Sequence, residues 1–152
     1  MTATLLQIHV PGTPKPKGSL RHVGHGRMVE QLAGSPDWRA SVVAAAHAAW
    51  GGGAPHLGAV RVAIVLELPK PARPKDLRYP SGGNTGDVDK HARNVLDALQ
   101  DAGVVRNDSQ VVDLAVAKRW TLLAPGAHIT VSPAGLPSPM SGQPILIGDQ
   151  QQ

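Results

Sequence analysis

Three aspartates are spaced so that they can act together. Asp87 and Asp89 stand two apart in "GDVDKHARNVLDALQD", and Asp108 follows in "VVRNDSQVVD". Carboxylates brought close repel one another, so a cluster of them calls for a counterion. Three such groups around one point suit a hard divalent cation, normally Mg²⁺ with several waters retained; Mn²⁺ is the other candidate. An ion of this kind activates water, holds a phosphate oxygen and stabilises a leaving alkoxide. The plainer alternative needs no metal. Asp87 and Asp89 also suit the cap and first turn of a helix, where free N–H groups favour negative charge. Asp108 also suits an Asn-Asp-Ser turn.

Arg93 lies four residues beyond Asp89. It is either an ordinary i,i+4 ion-pair partner or the group that holds a phosphate in its planar fork and stabilises the charge developing there. Asp97 continues the same stripe, and the spacing predicts that it pairs with Arg93 and orients it rather than binding metal. Lys90 and His91 fall off the stripe and read as solvated or interface positions. Lys118 and Arg119 close the next strand, either as a solvated strand end or as phosphate contacts.

These groups need a scaffold, and the apolar periodicity supplies one. "LLQIHV" at 5–10 reads as a strand. "SPDWRASVVAAAHAAW" reads as a helix with Ser35 at the N-cap and Pro36 at the first position. Residues 59–68 alternate as a strand, and 88–101 repeat as a helix that Gly103 is placed to end. A strand from "SQVVDLAVAKRWTLL", the turn "APGA" and a returning strand "HITV" complete the pattern. The predicted fold is α+β: a single small domain over 1–133, with one mixed sheet and two main helices, and a flexible C-terminal tail over 134–152. An antiparallel return after the second helix would carry Asp108 to Asp87 and Asp89.

Composition narrows the class. The chain has 152 residues, with no cysteine and no phenylalanine, so disulfides and thiolate chemistry are excluded and the core must be aliphatic. The formal charge of +4 favours a polyanionic partner. Two basic Pro/Gly-rich segments are candidates to track phosphates. One holds Lys15, Lys17 and Arg21; the other holds Lys70, Arg73, Lys75 and Arg78. Solvated loop charge is the alternative for both. Neither a leader pattern at the N-terminus nor a bilayer-length apolar run is visible, which predicts a soluble intracellular protein with no membrane contact.

The block "GDVDKHARNVLDALQDAGVVRNDSQVVDLAVAKRW" resembles the signature of RusA-type Holliday junction resolvases of bacteria and prophages. "VPGTPKPKGSLR" is similar to that family's N-terminal region. The resemblance implies a homodimeric, Mg²⁺-dependent endonuclease acting on branched DNA, a four-way junction, in the cytoplasm of a bacterial or phage-infected cell. It puts Asp87, Asp89 and Asp108 at the catalytic acid positions and Asp97 at the acid of the "DAL" helix. Arg93 stands where the family usually has Lys. Asn107 replaces a second acid, and Lys90 a frequent Asn. Lys118 matches the lysine that ends the strand. Three rival readings remain at this point: a DNA-binding module that does not cut, a metal-dependent transferase using D-x-D, and a flap or fork nuclease.

Overall fold

A computed structural model describes residues 3–18, 20–30 and 33–135, apart from the side chains of 20–21 and 28–30. In chain order the elements are β1 (Leu6–Pro11), β2 (Leu20–His22), β3 (Met28–Glu30), α1 (Ser35–Trp50), β4 (Val60–Pro69), α2 (Val88–Asp101), β5 (Val111–Thr121) and β6 (Gly126–Pro133). Short 3-10 turns at Gly83–Thr85 and Asp108–Gln110 bracket α2. Four strands form one sheet in the order β1-β6-β4-β5, and β2 and β3 pair separately as a hairpin. The α+β architecture with a mixed sheet and two helices is as the periodicity predicts. The hairpin is an addition, because strands of three residues carry too little pattern to be read. Of the expected tail over 134–152, Ala134 N–H donates to the Ala59 carbonyl at 2.8 Å, and 136–152 lie outside the described residues.

Alternation in β4 makes it the centre of the sheet. Val60, Val62, Ile64, Leu66 and Leu68 are all buried on one face. Ala127, Ile129 and Val131 of β6 and Leu6 and Val10 of β1 extend that face. Both helices cover it: α1 lies over β1 and against α2, and α2 lies over β5. Trp38, Val42 and Ala46 of α1 meet Ala92, Val95, Ala98 and Leu99 of α2 in the same core. The core is aliphatic apart from Trp38. The opposite face carries polar pairs, among them Arg61 with Asp113 at 2.7 Å and His128 with Glu67 at 2.5 Å.

Two local expectations change. Ser35 is not the cap of α1: Gly34 takes that place in the left-handed conformation (φ 82°). Ser35 is instead buried, and its hydroxyl accepts a hydrogen bond from Asn94 Nδ2 at 3.1 Å. The return after α2 is also not antiparallel to the preceding strand. β5 pairs parallel to β4, from Val60 opposite Val111 to Pro69 opposite Thr121, so α2 is a crossover helix. The turn that holds Asp108 is therefore left at the far end of α2, and the end of β5 is what returns to the helix start.

Candidate active site

The mouth of α2 is built around a glycine. Gly86 has φ 83°, and a Cβ there would meet Pro16 Cγ at 2.6 Å and His91 Nε2 at 2.8 Å. No other residue fits both the backbone and the space. His91 Nε2 lies 2.8 Å from the carbonyl oxygen of Thr85. A carbonyl only accepts, so Nε2 carries the proton. His91 Nδ1 is then a bare acceptor, buried without a partner among the described residues. Burial pushes the His91 pKa down, which keeps the ring neutral. The sequence pointed to solvent or an interface for this residue; it is 1% exposed.

Lys118 reaches the same turn from β5. Its ammonium donates to Thr85 Oγ1 at 2.9 Å and to the Gly86 carbonyl at 2.8 Å. The Thr85 hydroxyl lies 2.6 Å from the Pro80 carbonyl and 2.7 Å from that of Gly82, and donates to one or the other. The proline-rich segment before β2 crosses α2 as a strap. The Lys15 carbonyl accepts from Asn94 Nδ2 at 2.9 Å, and Lys17 N–H donates to the Lys90 carbonyl at 3.1 Å. Asn94 is fully buried and satisfied, since its Oδ1 also accepts from Arg39 Nη1 at 2.7 Å.

On this frame Asp87 occupies the N-cap position of α2 (φ −76°, ψ 140°), yet its side chain accepts no capping hydrogen bond. Its nearest cation is Lys90 Nζ, 3.5 Å away, and the carboxylate is 65% exposed. Asp89 is exposed in the first turn. Neither the Asp89 side chain nor that of the exposed Arg93 makes a hydrogen bond or ion pair among the described residues. Capping and i,i+4 pairing, the ordinary explanations for these side chains, are therefore not what the side chains do.

Asp97 does not orient Arg93. It pairs with Lys17 Nζ at 2.5 Å and so anchors the strap to the helix. Asp108 begins the 3-10 turn beyond α2, and its N–H donates to Gln100 Oε1 at 3.1 Å. About 16 Å of helix separates Asp89 from Gln100 at 1.5 Å per residue. The three acids thus do not converge within one chain, and among the described residues no group of three acids or histidines is placed to hold a metal ion. They lie in a line instead. Asp89, Arg93, Leu96 and Gln100 recur at i, i+4, i+7 and i+11 along one helix face, and Asp108 sits at its end.

A family model described as Endodeoxyribonuclease RusA matches residues 10–132. The chain belongs to the RusA family. That family consists of endonucleases acting on Holliday junction DNA, and the match takes in both ends of α2, the strap and all of β4 and β5. No curated protein matches the chain.

The remaining basic residues of this RusA-family chain divide into two kinds. Lys17 and Lys118 are tied to the protein through Asp97 and the Thr85–Gly86 turn, and Lys15 is half-buried. Arg73 and Lys75 are exposed on the loop between β4 and α2. Asp76 shapes that loop: its carboxylate accepts from Arg78 N–H at 2.8 Å, Tyr79 N–H at 3.1 Å and Ser81 Oγ at 3.1 Å. Those backbone donors hold its carboxyl below the usual range. Arg21 lies on β2, with its side chain outside the described residues. No described helix is long and apolar enough to cross a membrane. Asn94, Gln100 and Trp120 hold the site together without a sequence signal of their own. Only the polar character of Asn94 inside an apolar helical face hints at its role.

Proposed function

We propose that this chain is a divalent-metal-dependent endonuclease that cuts four-way DNA junctions as a homodimer. Its nuclease domain is residues 1–133, it carries a tail over 134–152, and it works in the cytoplasm of a bacterial or phage-infected cell. The observation that carries the reading is a pair of exposed carboxylates, Asp87 and Asp89, released from capping at a rigidly held helix mouth. The donor set fits Mg²⁺, which is commonly bound through one or two carboxylates together with substrate phosphate; Mn²⁺ has the same preference for oxygen. Asp87 and Asp89 would hold the divalent ion, which would supply Lewis acidity at the scissile phosphate and activate the attacking water.

The chain's own residues do the rest. Arg93, one turn along and without a side-chain partner among the described residues, holds the phosphate and balances its growing charge. Asp108 is too far to serve the Asp87–Asp89 pair of its own chain. The line of residues along α2 supports a contact in which a second copy packs antiparallel. A two-fold axis through its middle sets each Asp108 beside the other copy's Asp87 and Asp89, twice over. Val88 on α2 and Val112 and Leu114 on the edge strand β5 are exposed apolar side chains available to that contact. The exposed Arg73 and Lys75, with Lys15 and Arg21, are the phosphate-tracking candidates.

The test uses labelled four-way junction, flap and linear duplex, with Mg²⁺ or with chelator. Paired nicks on the junction are expected, with at least a hundredfold loss in Asp89→Asn, since even outer-shell partners of a metal are worth about 10–100-fold. Cutting that persists in chelator overturns the metal chemistry. Equal cutting of flap and duplex overturns the preference for junctions.

A further inference from the structure

A cavity of about 350 Å³ opens beside the turn that presents Asp87, and neither the acids nor Arg93 uses it. Trp120, Leu68, Pro14 and Pro16 form its apolar walls, and Asn84 and Gly86 border it. Leu68 and Trp120 are opposite each other near the carboxyl ends of the parallel strands β4 and β5. Open sheets with parallel strands take their ligands outside those ends. The volume falls within the range of small-molecule sites.

The wall chemistry suits a flat group with apolar faces and a polar edge. The Trp120 ring is pinned in advance: its Nε1–H donates to the Asp76 carbonyl at 3.0 Å. Asn84, also in the lining, carries an amide able both to donate and to accept. Among the described residues no acid lines the cavity. Gly86 borders the cavity and is bonded to Asp87, so an occupant stands next to whatever the acids hold.

We propose that this cavity receives one nucleobase, unstacked from the DNA strand beside the phosphate that is cut, with Trp120 as its stacking surface. The inference rests on the nuclease reading above and deepens it. Aromatic faces capture bases out of the stack, and an amide in the lining distinguishes base edges. The cavity therefore sets the register of the cut relative to the branch and gives the enzyme a preference for the base at that position.

The test is a double cycle read in binding, with chelator present so that nothing is cut. Four-way junctions carry abasic sites at symmetric positions of two opposing strands, moved one nucleotide at a time through the crossover. Affinities are measured by fluorescence anisotropy for the wild type, Trp120→Ala and Trp120→Phe. At one position, base removal should weaken wild-type binding about tenfold. Trp120→Ala should weaken binding of the intact junction by a similar factor, and the two losses should not multiply. Trp120→Phe keeps a ring face but loses the N–H to Asp76, and should keep the dependence on the base. Losses that multiply at every position, or the absence of any position at which the base matters, overturn the proposal. So does a Trp120→Phe protein that behaves like Trp120→Ala, because Trp120 then only braces the loop. The nuclease reading is judged separately, by Mg²⁺-dependent cutting of the intact junction by the wild type.

Discussion

The two ends of α2 are finished in opposite ways. At the C-terminal end the backbone is closed by the helix itself and its neighbours. Ala102 N–H bonds to the Ala98 carbonyl and Val104 N–H to that of Leu99, across a left-handed Gly103 (φ 77°). The next turn has a full capping box between Asn107 and Gln110. At the N-terminal end the helix's own cap residue is not used. Asp87 stands in position and leaves the N–H groups alone, and the turn before it is held by Lys118 from β5 and by His91 from the first turns of α2. An end that closes itself is a structural end. An end whose acids cap nothing, while Lys118 and His91 hold the turn, leaves those acids available to a ligand. The Asp108 side chain makes no hydrogen bond or ion pair among the described residues, which leaves it available to the partner's site proposed above.

Substitutions at the two ends should therefore fail differently. Among substitutions that leave the acids in place, the largest effect is expected from Gly86→Ala. Backbone strain alone costs roughly 1–3 kcal/mol, and the added Cβ must displace Pro16 or His91. Thermal melts should register the strain, and junction cutting should fall by about a hundredfold as Asp87 moves. Lys118→Met comes next. It frees the turn without touching the acids, so cutting should drop roughly tenfold while junction affinity in chelator stays within about twofold. A parallel loss of affinity would make Lys118 a phosphate contact instead. Asn107→Ala should act mainly on stability, costing about 1 kcal/mol as a lost cap, with cutting reduced less than in Lys118→Met. The smallest effect lies away from both ends. The His128 hydrogen bond and the nearby Arg119 charge hold the Glu67 carboxyl below its ordinary range. That stabilisation is complete above the ordinary value of 4.5 and is lost as pH falls through the lower folded value. Melts taken through this acid range should lose less stability in Glu67→Gln than in wild type, and cutting near neutral pH should not change.

The regular elements were legible because their periods are strong. β4 alternates over its whole length, α2 repeats over four turns, and Gly103 marks its end. What was not legible depends on partners far away in sequence. Whether β5 runs parallel or antiparallel to β4 is decided by the sheet, and that choice alone sends Asp108 away from Asp87 and Asp89. The Lys17–Asp97 pair joins two segments that share no local pattern, so Asp97 looked free to orient Arg93. His91 and Asn94 are buried because α2 packs against both the sheet and α1, which widens its buried arc beyond a single apolar stripe. Ser35 satisfies the rule for a cap residue, but Gly34 takes the cap and leaves the hydroxyl for Asn94. The three acids and Arg93 were nameable from spacing alone. Their arrangement as a line rather than a cluster was not.

Subunit mixing tests the central claim most directly. Asp89→Asn and Asp108→Asn are each expected to be inactive alone on a four-way junction. If each metal site joins the Asp87–Asp89 pair of one copy to Asp108 of another, co-expression of the two variants should restore about a quarter of wild-type nicking. Random pairing makes half of the dimers mixed, and each mixed dimer has one intact site. Mixed dimers as inactive as either parent, verified as mixed by differently tagged subunits, would show that no site is shared between copies and contradict the account.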